Sequence, residues 1–340
     1  MAADAAVGLC FVRLHTDPQT SHEEVRRELE GAIRVFEELH DEAGLARALG
    51  LAGILPLWRG EAETAVEELE RAALHAHRAG DRVQEMESLR FMLVAAFNGP
   101  MSVVAALERV DDVGRRTTGA SALDVGVLRI RAQLEAMRGR FDAARDLIAE
   151  ARTLAEELGL KTQLATGVAR AAGEIELLAG DPAAAERELR PGCEALERMG
   201  DWGHLASVVP YLADALWLQR RGDEALPMVD LAARWTLADD MDAQIGWRRV
   251  RAKLVAQQGD LEEAERLALE ATALVGRTDY LDLQGQALCD LAEVLALAGK
   301  RDQAAAALEH ALERYERKGN LVSAQRAQTR LAELQDAAPR

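Results

Sequence analysis

Residues 259–276 read GDLEEAERLALEATALVG. The stretch opens on Gly-Asp, runs through successive amphipathic turns and closes on glycine. Residues 180–200, GDPAAAERELRPGCEALERMG, and residues 299–319, GKRDQAAAALEHALERYERKG, write nearly the same helix again. Anchored on Ala264, the pattern puts Ala65, Ala105, Ala144, Ala185, Ala225, Ala264 and Ala304 in register, with gaps of 40, 39, 41, 40, 39 and 40 residues. Other positions keep step. Seven residues later stand Ala72, Asp112, Ala151, Gly192, Ala232, Ala271 and Ala311. Twelve residues earlier stand Gly53, Leu93, Ala132, Gly173, Ala213, Ala252 and Ala292. Four residues after the anchor come mostly larger apolar residues, Leu69, Ile148, Leu189, Val229 and Leu308 among them.

One period therefore holds two helices, A and B. Small residues at one point on A and two on B let the pair approach to the lower end of the usual ~8–10 Å interaxial range. Gly180-Asp181, Gly222-Asp223 and Gly259-Asp260 supply the turn: glycine ends one helix in the left-handed region and aspartate caps the next. Extended backwards, the pattern finds Val25, Leu29 and Ala32, hence a B helix over 21–40. The last A helix is expected at 321–335. A lone helix pair cannot bury its apolar face, so the units must stack. The expected fold is all-α, a right-handed α-solenoid of about eight antiparallel helix pairs. It should run through 1–340 without a domain boundary, best supported over 20–335, with 1–20 as an N-terminal cap and 336–340 as a tail.

Two features fit poorly. The unit at 98–121 puts Arg109 and Asp112 where apolar and small residues are expected. Pro56, Pro191 and Pro210 fall inside expected helices, and each should kink or break its helix.

The small-residue positions resemble the tetratricopeptide signature, with Leu291, Ala292, Leu295, Gly299, Ala304, Leu308 and Ala311 at that motif's spacing. The departure is length, since the ordinary repeat has about 34 residues. Stretches such as AMRGRFDAARDLIAEARTLAEELGL and DLAEVLALAGKRDQAAAALEHALERYERKGN also resemble the C-terminal repeat region of large bacterial regulators. In those, a class III adenylate/guanylate cyclase or a DNA-binding domain is joined to an AAA-type or signal-transducing ATPase core. The resemblance implies a sensor or scaffold arm in cytoplasmic signal transduction. It also implies a cyclase, ATPase or DNA-binding domain in the same full-length chain.

Composition narrows the partners. The 340 residues carry 58 acids against 41 bases, a net charge of −17. That argues against direct nucleic-acid binding. Cys10, Cys193 and Cys289 are far apart, odd in number and without metal spacing, which fits a reducing cytoplasm. The longest uncharged run, 91–107, holds Asn98, Gly99 and Pro100 and reads as a helix break rather than a membrane span.

Catalytic motifs fail one by one. Gly299-Lys300-Arg301 lacks the earlier glycine and the Ser/Thr of a phosphate loop. His22-Glu23-Glu24-Val25-Arg26 starts like a zinc-protease helix without its second histidine. His75 and His77 are two apart and point to different helix faces. No enzyme, cofactor or metal is expected.

The expected working surface is a concave trough lined by A helices. Fifteen residues before each anchor stand Gly50, Arg90, Arg129, Arg170, Pro210, Arg249 and Cys289. Arg90, Arg129, Arg170 and Arg249 would form a basic ladder suited to an acidic or extended peptide, because guanidinium forks grip carboxylates at two points. The competing reading is local pairing, for example Arg170 with Glu174. A nucleotide- or small-anion sensor and a structural spacer or oligomerisation module are the alternatives in function. Trp202, Tyr211, Trp217, Trp235 and Trp247 crowd into 46 residues. Core packing accounts for such a group, while Tyr211 and Trp217 are candidate partner anchors.

Overall fold

The computed structural model describes residues 2–16, 20–116 and 121–336, and every regular element among them is a helix. The A helices are α1 (Ala2–Thr16), α3 (Glu42–Trp58), α5 (Arg82–Asn98), α7 (Ala122–Met137), a composite helix, α12 (Trp202–Leu218), α14 (Met241–Gln257), α16 (Leu281–Leu297) and α18 (Leu321–Asp336). The composite joins α9 (Lys161–Gln163), a π-helical turn (Leu164–Val168) and α10 (Ala169–Ala179). The B helices are α2 (His22–Leu39), α4 (Ala62–Ala79), α6 (Val103–Arg116), α8 (Phe141–Glu157), α11 (Pro182–Met199), α13 (Gly222–Trp235), α15 (Leu261–Val275) and α17 (Arg301–Lys318). The architecture is an all-α solenoid of eight A/B pairs ending on an unpaired A helix. The expected helices at 21–40 and 321–335 are α2 and α18. Of the expected tail, 337–340 lie outside the described residues.

The alanine register is the packing register. Ala65, Ala144, Ala185, Ala225, Ala264 and Ala304 are all fully buried. At the A-helix position the fit is tight. A Cβ on Gly53 would meet Leu69 Cγ at 2.7 Å, and one on Gly173 would meet Leu189 Cγ at 2.3 Å. The larger B residue fills the space that the small A residue leaves.

The poorly fitting unit is resolved by a shift of one residue. In α6 the buried side chains are Val103, Ala106, Val110 and Val113. The anchor there is Ala106, not Ala105, and Arg109 faces outward to pair with Glu70. The Gly99–Ser102 link sets this shift. Lys318, itself fully buried, donates to the carbonyls of Phe97, Gly99 and Met101 and holds the link in place.

The turn chemistry holds at two of the three expected sites. Asp181 accepts from Ala184 N at 2.8 Å and Asp260 from Glu263 N at 3.2 Å, after Gly180 (φ 86) and Gly259 (φ 94). It fails at Gly222-Asp223, which lie inside α13. The left-handed residue stands five before the anchor at Gly60, Gly139, Gly180, Gly259 and Gly299, and the turn before α6 has none. In the unit of Ala225 that place is taken by Arg220, with φ 63. The prolines also depart from expectation. α3, α11 and α12 run through Pro56, Pro191 and Pro210 without a break, because packing against neighbours outweighs one missing backbone bond.

The expected trough is closed. Tyr280 Oη donates to Leu57 O at 2.5 Å, across 223 residues. Asp279 accepts from Ala62 N at 2.9 Å and Glu63 N at 2.8 Å, capping α4 from 217 residues away. His22 Nδ1 faces Asp239 at 3.3 Å. Together with Lys318, these contacts join points about five and a half periods apart and complete one superhelical turn. α18 then crosses the interior, where Arg326 donates to the carbonyls of Leu177 (3.2 Å) and Leu178 (2.7 Å) in α10.

Candidate functional site

Closure turns the concave face into a cavity of about 290 Å³, walled by α5, α7, α10, α12, α14, α16 and α18. Successive A helices meet by a common rule at three of their contacts. The side chain fifteen before the anchor lies across a small residue of the next A helix. A Cβ on Gly126 would touch Arg90 Cγ at 3.4 Å, one on Gly167 would touch Arg129 Nε at 3.1 Å, and one on Gly246 would touch Pro210 Cγ at 3.1 Å. The expected ladder is therefore a physical row running from helix to helix, of which Arg170 and Arg249 line the cavity while Arg90 and Arg129 stand outside its lining.

Arg170 and Tyr211 meet in the cavity wall. Arg170 donates to Glu174 (2.7 Å), Asp242 (2.5 Å) and Tyr211 Oη (2.5 Å), with its Cζ 4.5 Å from the Tyr211 ring centroid. Burial opposes the Arg170 charge, but Asp242, Tyr211 and Glu174 outweigh it and hold its pKa above the usual guanidinium value. Burial likewise pushes the Tyr211 phenol well above its ordinary range.

Arg249 also lines the cavity. It donates to Asp290 (2.7 Å) and Gln286 (2.9 Å). Asp290 is shared with Lys253 at 3.1 Å, and Lys253 also reaches Asp214. Burial alone would raise the Asp290 carboxyl, yet Arg249 and Lys253 hold it below the usual carboxylate range.

Arg90 pairs with Glu87 on its own helix at 2.5 Å and lies over Phe91. Trp217 sits outside the cavity lining, its ring 4.5 Å from Lys253 Nζ. Trp202 and Trp235 stack on each other at 5.4 Å, a packing role.

Arg129 differs from the other three. Its sole side-chain hydrogen bond among the described residues is to Gln133 Oε1, at 3.2 Å. No carboxylate lies within 4.0 Å of it among those residues. Burial lowers its pKa to about 10, and repulsion from Arg90 and Arg170 adds to the effect against the pull of Glu174.

Several polar residues of this site escaped the sequence reading: Glu174's partner Gln133, Asp214, Asp242, Lys253, Asp290, and Arg326 and Arg330 of α18. A signal existed for some of them. Tyr211 and Asp290 each stand 41 residues after the arginine they bind, one repeat further on. Among the described residues, no group of three or more His, Cys, Asp or Glu could hold a metal ion, and no helix is long and apolar enough to cross a membrane.

This architecture is that of tetratricopeptide-like repeat proteins. A Rap protein complexed with Competence and Sporulation Factor matches with a TM-score of 0.67 and 16% identity, over 91% of this chain and 81% of that one. The apo quorum sensor NprR from B. thuringiensis matches with a TM-score of 0.48 and 13% identity, over 79% of each chain. Yeast Tom70 matches with a TM-score of 0.43 and 18% identity, over 93% of this chain, which spans 63% of Tom70. At such identities the likeness shows the fold alone. Neither a family model nor a curated protein sequence matches. The chain has the fold of tetratricopeptide-like repeat proteins, an α-solenoid wound closed around a cavity lined by apolar and polar side chains together.

Proposed function

We propose that this chain is a protein- or peptide-binding scaffold that holds an extended peptide along its concave interior, with an acidic group of that peptide at Arg129. The observation that carries the reading is the uneven charge balance of the ladder. Arg90, Arg170 and Arg249 have carboxylates of their own, and Arg129 has none. A half-buried guanidinium with no carboxylate partner of its own, beside the cavity wall at Arg170 and Glu174, is a place where a ligand carboxylate forms a charge-assisted pair without first displacing an internal one. The remaining wall, with paired polar groups between Met137, Leu178 and Leu283, suits a main chain with mixed side chains. The Rap protein that shares this fold was found with Competence and Sporulation Factor bound, which accords with a binding role. The resemblance of the repeats to regulatory arms supports a place in bacterial cytoplasmic signal transduction, within one continuous array joined to a catalytic or DNA-binding domain. A nucleotide sensor is less favoured, because three of the four arginines lining the cavity, Arg170, Arg249 and Arg330, are already paired with carboxylates.

The test uses Arg129→Met. Peptides selected from a displayed random library on the wild type should bind the variant about tenfold or more weakly. Meanwhile the variant's melting temperature should hold or rise, since a poorly compensated charge has gone. Peptides binding both proteins equally would overturn the proposal. So would stabilisation of the wild type alone by ATP or inorganic phosphate, which would establish the anion-sensor reading instead.

A further inference from the structure

A second groove lies on the outer surface, between the successive B helices α8 and α11. It has a volume of about 480 Å³. Its floor is the composite A helix at its π-helical turn, where Ala165 and Val168 are buried and Leu164 is half-buried between the two B helices. The backbones touch closely there. A Cβ on Gly192 of α11 would lie 2.7 Å from the Ala165 carbonyl oxygen, so the floor holds no bulk above the turn. π-helical turns are rare and concentrate at functional sites. Ala195 and Met199 extend the apolar strip along α11, and Met199 is 45% exposed.

The charge of the groove runs against that of the molecule. Its walls carry Arg152, Lys161, Arg187 and Arg198 against Glu156 and Glu188, in a chain of net charge −17. Arg152 and Glu188 pair with each other across the two helices. Lys161 and Arg187 are exposed, and no carboxylate lies within 4.0 Å of either among the described residues. Arg198 is 69% exposed and reaches Glu194 only at 3.8 Å. Three loosely held or free cations thus flank an apolar strip, with Glu156 the one lining carboxylate left unpaired.

We propose that this outer groove docks an acidic amphipathic helix of a partner protein. The floor's backbone is satisfied inside its own helix, so it offers no edge for a strand, and recognition must run through side chains. A helix laid between α8 and α11 would set an apolar stripe on Leu164, Ala195 and Met199. Its flanking carboxylates would meet Lys161 on one side and Arg187 and Arg198 on the other. The site is separate from the concave cavity, and it stands whether or not the interior binds peptide.

The probes are two synthetic helical peptides with the same leucine stripe, one flanked by glutamates and the other by lysines, labelled for fluorescence anisotropy. Attraction to the whole molecule favours the lysine peptide, because the protein is strongly acidic. The proposal requires the opposite: the glutamate peptide should bind about tenfold or more tightly than the lysine peptide, and added salt should weaken it. The double variant Arg187→Glu/Arg198→Glu should reverse the preference, and Met199→Glu should abolish glutamate-peptide binding. All three positions are exposed, so the fold should persist, as circular dichroism would show. Three results would overturn the proposal: no binding of the glutamate peptide, a preference that survives the double variant, or phosphatidylserine vesicles that bind this face while the peptide does not.

Discussion

Gly173→Ala should destabilise the protein, although alanine is the better helix former. Glycine in a helix interior costs about 1 kcal/mol relative to alanine, so the exchange is favourable wherever space allows. Gly31 in α2 is such a place: a Cβ there meets nothing within 4 Å. At Gly173 the new carbon would stand 2.3 Å from Leu189 Cγ and 2.5 Å from its Cδ1, where ordinary contact begins at 3.4 Å. Leu189 is fully buried and cannot swing away. Overpacking of this kind costs about 1–3 kcal/mol. Gly31→Ala should therefore raise the melting temperature, and Gly173→Ala should fall below it by an amount equivalent to about 1–3 kcal/mol. Because repeat arrays can unfold in parts, both variants belong in hydrogen-exchange measurements of α10 and α11 as well as in thermal melts. The same exchange in a Leu189→Ala background should turn stabilising, since the obstructing atoms are gone. If Gly173→Ala stabilises in the native background, or acts alike in both, the nested-register argument fails.

Arg220→Gly should stabilise by about 0.5–1 kcal/mol, because Arg220 carries the left-handed conformation that neighbouring turns give to glycine; an unchanged or lower melting temperature would count against a fixed turn position. Asp290→Ala should cost about 3–5 kcal/mol in urea unfolding, by leaving Arg249 and Lys253 buried without their shared carboxylate; a loss under about 1 kcal/mol would show the pair to be solvated. Burial holds Lys318 down to about 8, from an ordinary value of 10.5, against the pull of Asp282 and Asp279. The unfolded chain then binds more protons between those two values, so this group's contribution to stability rises with pH through that window and is flat below it. The stability of wild type minus Lys318→Met should accordingly increase between about pH 8 and 10; a constant or falling difference would refute it. Asp279→Ala should cost about 1 kcal/mol through the lost α4 cap, and small-angle scattering should show a larger radius of gyration; an unchanged radius would mean the seam does not depend on this cap.

The register of small residues was legible because it is periodic, and a period survives local noise. Where the period slipped, the sequence still held the answer in its apolar residues. Val103, Ala106, Val110 and Val113 repeat the spacing of Ala62, Ala65, Leu69 and Ala72 one step out of phase. Gly222 misled because composition marks a turn, while the left-handed place five residues before Ala225 is held by Arg220. In the site, Arg170 with Glu174 could be read from i, i+4 spacing alone. Arg170 with Tyr211, and Arg249 with Asp290, required knowing that like positions of successive A helices touch. The seam left no local trace, because Lys318, Tyr280, Asp279 and His22 each act singly across more than two hundred residues.

That difference in kind bears on how the cavity works. Within the turn, neighbouring helices are locked by apolar contacts so close that one added carbon finds no room, as at Gly53 and Gly173. Across the seam, Leu57 and Ala62 share one buried apolar cluster with Val275 and Tyr280, Gly60 packs against Thr278, and separate polar contacts add to this packing, each contributing a net of about 1 kcal/mol when its groups trade water for protein. The lining of the cavity comes from contacts between successive helices, and its enclosure from the mixed apolar and polar contacts of the seam. Lys318 and Tyr280 therefore do more than tie distant points of the chain: by completing the turn they convert an open concave face into an enclosed one.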